Sequence, residues 1–393
     1  MKQPIKKRIA EANNINTSRS EYSLIVDGNN LLKISLVDKR MNDKGEVYGA
    51  VLTFIRQLGV ILSRKDFDYC MVCWDGNGSG VLRYNYYEDY KANRDKHYEN
   101  HQINKTEYDK YIDSFCKKVL SNKKKKTDKE IEDELFEKQK FLIQAILEEV
   151  CVRQYEFDNV EGDDLIAYYV KNKHENEKVV IFSSDRDLTQ LISDTVIVYN
   201  PVKKDFITNK NSIEELGITH ENIVLEKIIC GDVSDNIKGV KGVGQPTLIK
   251  YFPEIVEHKT DLKAIIERSK ELLEERKQNK QKPLKSLENI VNGVTDGCQG
   301  DRLYEINRKI IDLSEPLLTE EAEKGLNDVL YAPIDTTNRN VKNAYKIIDK
   351  NRMFDLTDET KFGNVLAPYG RIILMEKKRY EDFCKKYDFL KDT

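Results

Sequence analysis

The chain has 393 residues, of which 39% are hydrophobic and 34% are charged, and its formal net charge is −3. This length can bury a sizeable core in one large domain or in about two to three smaller ones. No apolar run approaches the roughly 20 residues of a membrane span. The basic N-terminus lacks the apolar stretch of a signal peptide. We therefore expect a cytoplasmic protein with no membrane partner.

The charges are distributed unevenly along the chain. Residues 83–126 carry 12 Lys or Arg against 7 Asp or Glu, and residues 268–285 carry 7 against 3. Basic segments of this kind can bind phosphate while acidic clusters elsewhere bind cations. The seven cysteines are scattered and odd in number, which favours a reducing compartment over a disulfide framework.

Short apolar segments predict β-strands separated by helices. The predicted strands are residues 22–27, 69–75, 151–157, 179–185 and 195–200, and helix-like segments include 47–65 and 163–174. Apolar strands that alternate with helices predict an α/β fold with a mostly parallel sheet, covered by helices on both faces. In such sheets, ligands bind beyond the carboxyl ends of the strands.

Three further regions follow a different pattern. The highly charged stretch 88–150 predicts two or more helices that are interrupted at Lys123–Lys126. Residues 203–290 are typical of helices joined by short loops, and the rest of the chain mixes helix and loop.

Acidic residues recur at predicted strand ends and helix starts. They are Asp27, Asp75, Glu161, Asp163, Asp164, Asp185, Asp187, Asp232 and Asp235. Each one alone could be a helix N-cap or a turn residue. So many carboxylates at one sheet edge repel one another unless cations neutralise them, and a set of oxygen ligands favours Mg²⁺ or Mn²⁺. Two such ions roughly 4 Å apart support in-line attack of water on a phosphodiester.

A basic and aromatic segment follows Asp75 and begins near Arg83. Lys91 and Arg94 are three residues apart, so on a helix they would share a face and could stabilise charge on a scissile phosphate. Tyr90 could stack on a base. The alternative is a solvated helix face with a tyrosine packed beneath it.

Six segments in this order resemble the successive motifs of the 5′-nuclease (flap endonuclease) superfamily. They are VDGNN, WDGNGS, DYKANRD, VEGDDLIAYYV, SSDRDLTQL and GDVSDNIKGVKGVG. The resemblance is closest to phage-type 5′–3′ exonucleases and to the 5′-nuclease domain of bacterial DNA polymerase I, and it covers about residues 20–255. It implies a PIN-like domain at 20–205 with a helical arch at 88–150. It also implies a helix–hairpin–helix region at 206–290 and a C-terminal extension at 291–393, partly packed on the core.

The resemblance also assigns roles to residues. The acids named above would hold two Mg²⁺ ions, for which Mn²⁺ can substitute, and Lys91 and Arg94 would act on the scissile phosphate at the foot of the arch. The hairpin 238–244 would grip duplex DNA through backbone that glycines allow close to phosphates, and it could hold K⁺. The implied DNA contacts are Arg83, Tyr90, Lys238, Gly239, Lys241, Gly242, Gly244 and Lys250.

The sequence thus predicts a monomeric, metal-dependent 5′-nuclease. Its implied partners are DNA with a 5′ flap, nick or gap, and RNA primers in RNA–DNA hybrids. Two alternatives remain: a PIN-type ribonuclease, and a nuclease-dead protein that binds branched DNA. The hairpin argues against the first alternative and the complete set of acids argues against the second.

Overall fold

A parallel sheet forms the centre of the molecule. The computed structural model describes residues 21–92, 128–295, 300–353 and 359–391. Within these ranges the sheet has six strands in the order β3-β2-β1-β4-β5-β6. The strands are β1 (Tyr22–Asp27), β2 (Tyr69–Cys73), β3 (Arg153–Tyr155), β4 (Lys178–Phe182), β5 (Val196–Asn200) and β6 (Asp205–Ile207). Only β6 pairs antiparallel, and it was not predicted. The predicted α/β fold with a mostly parallel sheet is confirmed.

The register of the sheet brings several predicted acids to one edge. Asp27 ends β1 and pairs with Cys73 at the end of β2, while Val26 pairs with Phe182 at the end of β4. Asp75 and Asp185 follow these strands by two and three residues. The strand order reverses between β1 and β4, which is the point where open α/β sheets bind ligands.

Helices cover both faces because the strands direct alternate apolar side chains to opposite sides. Leu24 and Val26 belong to one core and Ile25 belongs to the other. The first core is covered by α1 (Gly28–Ser35), α2 (Gly49–Leu62) and α4 (Asp128–Glu149), and the short α3 (Val81–Tyr84) follows β2. The second core is covered by α5 (Gly162–Asn172).

A third core lies after the sheet. It contains buried residues from Ile218 to Tyr304, so it extends beyond residue 290, where the sequence placed the end of the hairpin region. The elements of this part of the chain include α6 (Ser212–Leu216), α7 (Ile223–Cys230), β7 (Gly231–Asp232), β8 (Ile237–Lys238), α8 (Gln245–Tyr251), α9 (Leu262–Gln278), α10 (Lys285–Asn292) and α11 (Asp301–Ile311). Short 3₁₀ helices lie at Asp187–Leu191, His220–Asn222, Pro253–Val256 and Ala367–Tyr369.

The C-terminal residues pack on both faces of the sheet. Leu326 joins the second core, whereas Ile348 and Tyr369 join the first. The helices are α12 (Glu320–Val329), α13 (Val341–Lys350), α14 (Glu359–Leu366) and α15 (Gly370–Lys391). Arg153 of β3 forms a buried ion pair with Glu376 of α15 at 2.8 Å. None of the helices in the described ranges is long and apolar enough to cross a lipid bilayer.

Helix α4 returns the chain from the predicted arch to the core. Its Gln139 side chain is buried, and Oε1 accepts hydrogen bonds from the N–H groups of Ala50 (2.9 Å) and Val51 (3.3 Å). Gln139 therefore caps α2, whose own N-cap residue Tyr48 provides no side-chain bond. The middle of the predicted arch, with Arg94 and Lys123–Lys126, lies outside the described residues.

Candidate metal centre and nucleic-acid interface

The first acid group comprises Asp27, Asp75, Asp163 and Asp185, at the carboxyl edge of the sheet. Asp27 caps α1 by accepting from the N–H of Asn30 at 2.9 Å, and it also accepts from Ser183 Oγ at 2.8 Å. Asp75 accepts from Asn29 Nδ2 at 2.7 Å and from the N–H of Gly162 at 2.8 Å. These neutral donors fix the orientation of two carboxylates from different strands.

Sequence reasoning missed the residues that hold the first acid group. Asn29 bonds to Asp75, and Asn30 Oδ1 accepts from both the N–H and the hydroxyl of Ser184 at 3.0 and 2.9 Å. The two asparagines thus connect the end of β1 to the loops after β2 and β4. The available signal was their position directly after Asp27 in VDGNN.

Burial and mutual repulsion both disfavour ionisation in the first acid group. Burial, together with the charges of Asp75 and Asp185, raises the pKa of Asp27 to about 7. Burial and the neighbouring Asp27, Asp185 and Asp75 raise the pKa of Asp163 well above its usual range. A bound cation would favour the ionised forms and relieve this repulsion.

The second acid group comprises Asp187, Asp232 and Asp235, whose carboxylate oxygens lie within 4.8 Å of one another. The N–H of Asp187 donates to Asp185 Oδ1 at 2.9 Å, so the two groups are joined. Oxygen donors at this spacing fit a hard divalent cation. Burial opposes the ionisation of Asp232, but the ammonium of Lys227 outweighs it and the pKa of Asp232 is lowered.

Glu161 lies at the foot of the predicted arch among basic residues. Its carboxylate pairs with Arg83 at 2.9 Å and Lys91 at 2.7 Å, and it accepts from the Tyr90 hydroxyl at 2.9 Å. Burial opposes the ionisation of Glu161, but Arg83 and Lys91 lower its pKa to about 2. Lys91 Nζ also lies 3.9 Å from Asp235 Oδ2, so this lysine is placed between Glu161 and the second acid group.

Two predicted site residues form a buried ion pair with each other. Arg83 bonds to Asp164 at 2.6 and 3.1 Å and to the carbonyl of Ile310 at 2.9 Å, and it is 5% exposed. Asp164 also accepts from the N–H of Leu317. With Arg83 held in this way, we correct its predicted DNA contact, and we withdraw Asp164 from the metal ligands. Both residues connect α3 and α5 to the C-terminal region.

Tyr90 is also placed differently from the prediction. Its ring is 2% exposed and packs with Ile237 and Ile310, so it presents no face on which a base could stack. We therefore correct the predicted DNA contact of Tyr90 to a packing role, with its hydroxyl orienting Glu161. The adjacent Lys91 donates its backbone N–H to the carbonyl of Asp235 at 2.8 Å, which fixes the foot of the arch to the second acid group.

Some residues of the glycine-rich hairpin are buried and others are exposed. Val240 and Val243 enter the third core, whereas Lys238, Lys241, Gly242 and Lys250 are exposed. Gly242 has φ +77°, and no atom lies within 4 Å of where a Cβ would be. Partly buried Gly244 is the N-cap residue of α8. Gly239 is different, since a Cβ there would lie 2.1 Å from the carbonyl carbon of Cys230, so only glycine fits at this position. Its predicted DNA contact stays a prediction.

Residues 22–217 match the family model of the 5′-3′ exonuclease N-terminal, resolvase-like domain. The chain belongs to this 5′-3′ exonuclease family. The match covers the whole sheet and both acid groups except Asp232 and Asp235, which follow it. The predicted resemblance to the 5′-nuclease superfamily is therefore confirmed.

Several relatives share parts of the sequence with this member of the 5′-3′ exonuclease family. It is 29% identical to DNA polymerase I of Bacillus subtilis over 273 residues, which cover 67% of this chain and 27% of the relative. It is 35% identical to the 5′-3′ exonuclease of Aquifex aeolicus over 112 residues, which cover 28% and 39% of the two chains. The chain thus matches well under two thirds of the length of either relative.

A solved structure extends the similarity of fold beyond the matched domain. The 5′-exonuclease of bacteriophage T5, with bound zinc ions, aligns at a TM-score of 0.52 and 20% identity, covering 84% of this chain and 99% of that one. A second structure of the T5 enzyme, a complex with DNA and metal ions, aligns at 0.53 and 20% identity, with the same coverage. At this identity the comparison shows a common fold.

Proposed function

We propose that the chain is a divalent-metal-dependent 5′-nuclease that hydrolyses phosphodiesters at 5′ flaps and 5′ ends of DNA. The observation that carries the proposal is the cluster of Asp187, Asp232 and Asp235, which is joined through Asp185 to the acids at the carboxyl edge of the sheet and lies next to an exposed lysine- and glycine-containing hairpin. Membership of the 5′-3′ exonuclease family supports it. The T5 structures, which contain metal ions and in one case DNA, support it as well.

The two acid groups would hold Mg²⁺ or Mn²⁺. Asp27, Asp75, Asp163 and Asp185 would supply one set of ligands, and Asp187, Asp232 and Asp235 the other. When bound, two such ions lower the pKa of water and offset charge on the reacting phosphate. The protein's own contribution is to orient the carboxylates through Asn29, Asn30 and Ser183, so that little reorganisation is needed when substrate binds.

A substrate panel tests the proposal. Labelled 5′-flap, nicked, blunt and RNA–DNA duplexes would be incubated with Mg²⁺, with Mn²⁺ and with EDTA. We expect cleavage of the flap and of recessed 5′ ends, products with a 5′-phosphate and a 3′-hydroxyl, and no cleavage in EDTA. We further infer that the enzyme removes RNA primers from hybrids. Cleavage of single-stranded RNA alone would favour a PIN-type ribonuclease instead, and metal-independent cleavage would contradict the proposal.

Lys91 is proposed to act on the scissile phosphate. Because its ammonium lies between Glu161 and Asp235, it could approach a phosphate next to a cation that the second acid group would hold. We expect Lys91→Ala to lower the single-turnover rate by roughly 100-fold, with only a mild loss of DNA affinity, since its charge acts most in the transition state. The measurement is the cleavage rate at saturating enzyme across a salt series.

Lys91→Arg is the matched control, because it keeps the charge, and we expect it to retain much more of the rate. Should Lys91→Ala cleave at the parent rate once saturated, the residue would be an ordinary phosphate contact. Arg94 is assigned the same role as Lys91 by the sequence, and that assignment stays a prediction.

The exposed hairpin is proposed to grip the duplex backbone through Lys238, Lys241 and Lys250, and to hold K⁺. A valine at Gly242 would fill the open space that a phosphate must approach. We expect Gly242→Val to weaken binding of flap DNA while hydrolysis of a short single-stranded substrate changes little. Binding is measured by fluorescence anisotropy and hydrolysis by gel assay.

Gly45→Val provides a matched control for backbone strain. Gly45 has φ +76° and equally open space, and it lies in the loop before α2. Both valine substitutions should lower stability, because each places a side chain at a positive φ. We expect Gly45→Val to keep the wild-type affinity for DNA. If Gly242→Val reduced activity equally on both substrates, Gly242 would serve folding and not the grip on DNA.

A further inference from the structure

A lysine side chain lies within the second acid group. Lys227 is on α7, and the chain then turns at Gly231 into Asp232. Its ammonium donates to Asp187 Oδ1 and, at 2.5 Å, to Asp232 Oδ2, and its side chain is 10% exposed. A cation that belongs to the protein is therefore placed between two of the three carboxylates proposed to bind metal.

The first acid group is held in a different way. Its Asp27 accepts from a backbone N–H and a serine hydroxyl, and its Asp75 accepts from an asparagine amide and a backbone N–H. These four donors are neutral, so they orient the carboxylates without offsetting their charge. In the second group, a lysine ammonium bonds directly to oxygens of Asp187 and Asp232. The hydrogen bonds given above for Asp27 and Asp75 come from neutral donors instead.

An ammonium and a divalent ion cannot use the same carboxylate oxygens at once. A magnesium ion needs its oxygen ligands at about 2.0–2.1 Å with near-octahedral geometry. The Lys227 ammonium directs its protons at the same lone pairs, and two cations this close repel each other. Binding of an ion at Asp187 and Asp232 therefore requires the ammonium to move away.

We propose that Lys227 competes with the divalent cation for the second acid group, so that the first group binds its ion first and the second group binds more weakly. This inference rests on the proposed function, because it takes the acid groups as metal sites. It predicts unequal ion affinities in the free protein, and it identifies Lys227 as the residue that sets the difference. The sequence did not single out Lys227, since a lysine five residues before Asp232 on a helix has no distinguishing pattern.

The test counts Mn²⁺ ions bound to the full chain without nucleic acid, with free Mn²⁺ followed by electron paramagnetic resonance. We expect the wild-type protein to bind one ion tightly and a second at least about tenfold more weakly. Removing the charge with Lys227→Met should tighten the second site by about tenfold and leave the first unchanged. Lys227→Gln, which keeps amide donors, is a second neutral variant in case the methionine impairs folding.

Two controls make the result specific. Lys227→Arg keeps the charge and should show the wild-type pattern. Lys203→Met removes a lysine that pairs with Glu215 at 2.6 Å away from the acid groups, and it should also bind Mn²⁺ like the wild type. If the wild type and the neutral variants bound the second ion with equal affinity, the proposed competition by Lys227 would be wrong. The proposed metal binding would still stand. No bound Mn²⁺ in any variant would overturn the metal-dependent function itself, and with it this inference.

Discussion

Asp185→Asn is expected to reduce cleavage by roughly a thousandfold or more while duplex binding persists. The substitution removes one negative charge from the first acid group. It keeps an oxygen that can accept the hydrogen bond from the N–H of Asp187 at 2.9 Å, so the loop retains its shape. Binding should survive because the exposed lysines of the hairpin are untouched. The measurements are single-turnover cleavage in Mg²⁺ and fluorescence anisotropy on the same flap substrate.

A second variant and a control complete this experiment. Asp75→Asn should behave like Asp185→Asn, because Asp75 belongs to the same acid group. Asp349→Asn makes the same chemical change on the exposed surface of α13 and should cleave at the parent rate. Undiminished cleavage by Asp185→Asn or Asp75→Asn would rule out the proposed metal assignment.

The metal-free protein is expected to lose stability as the pH rises from about 4 to about 7. Asp27 has a pKa of about 7 in the folded chain against an ordinary value of 3.8. The folded state therefore binds a proton more tightly than the unfolded state, and deprotonation in this window disfavours folding. The free energy of unfolding should therefore fall over this window by an amount on the order of a few kcal/mol. Urea denaturation in EDTA across this window measures it.

Asp27→Asn isolates the contribution of this carboxyl group. The variant cannot ionise at this position, so its free energy of unfolding should fall less over the same pH range, and the remaining fall comes from Asp163, whose pKa is also raised. Adding Mg²⁺ to the wild-type protein should stabilise it most at the alkaline end, where a bound cation offsets the ionised carboxylates. A wild-type stability that stays flat or rises between these pH values would contradict the assigned burial and repulsion.

The sequence predicted the sheet well because its strands are apolar runs that must be buried on both faces. The run 22–27 coincides with β1, since both of its faces meet a core. The predicted strand 69–75 ends earlier, at Cys73. Trp74 still donates its N–H to the carbonyl of Tyr155 and packs in the first core, whereas Asp75 bonds to Asn29 and Gly162 in the site. Strand β6 was missed because three residues are too few to show a pattern.

Site residues could be predicted where an acid directly follows a strand. They could not be predicted where a side chain bonds to a residue far away in the sequence. Asp27 was found because parallel strands end at one edge. The pairing of Arg83 with Asp164 joins residues 81 positions apart, and no local pattern tells which acid an arginine will meet. Tyr90 was assigned to DNA because its spacing does not reveal which side of the segment faces Ile237.

The buried pair between Arg153 and Glu376 affects where the chain can be divided. The family match ends at residue 217, yet Glu376 is fully buried against a strand inside that match. A fragment cut after the matched domain would lose Glu376 and the carbonyl groups of Leu330 and Ala332, which are the partners of the Arg153 guanidinium. It would also uncover apolar side chains of both cores, which Ile372 and Leu326 help to bury. The domain matched in sequence therefore ends before the residues that complete its packing, and these residues include the C-terminal helix α15.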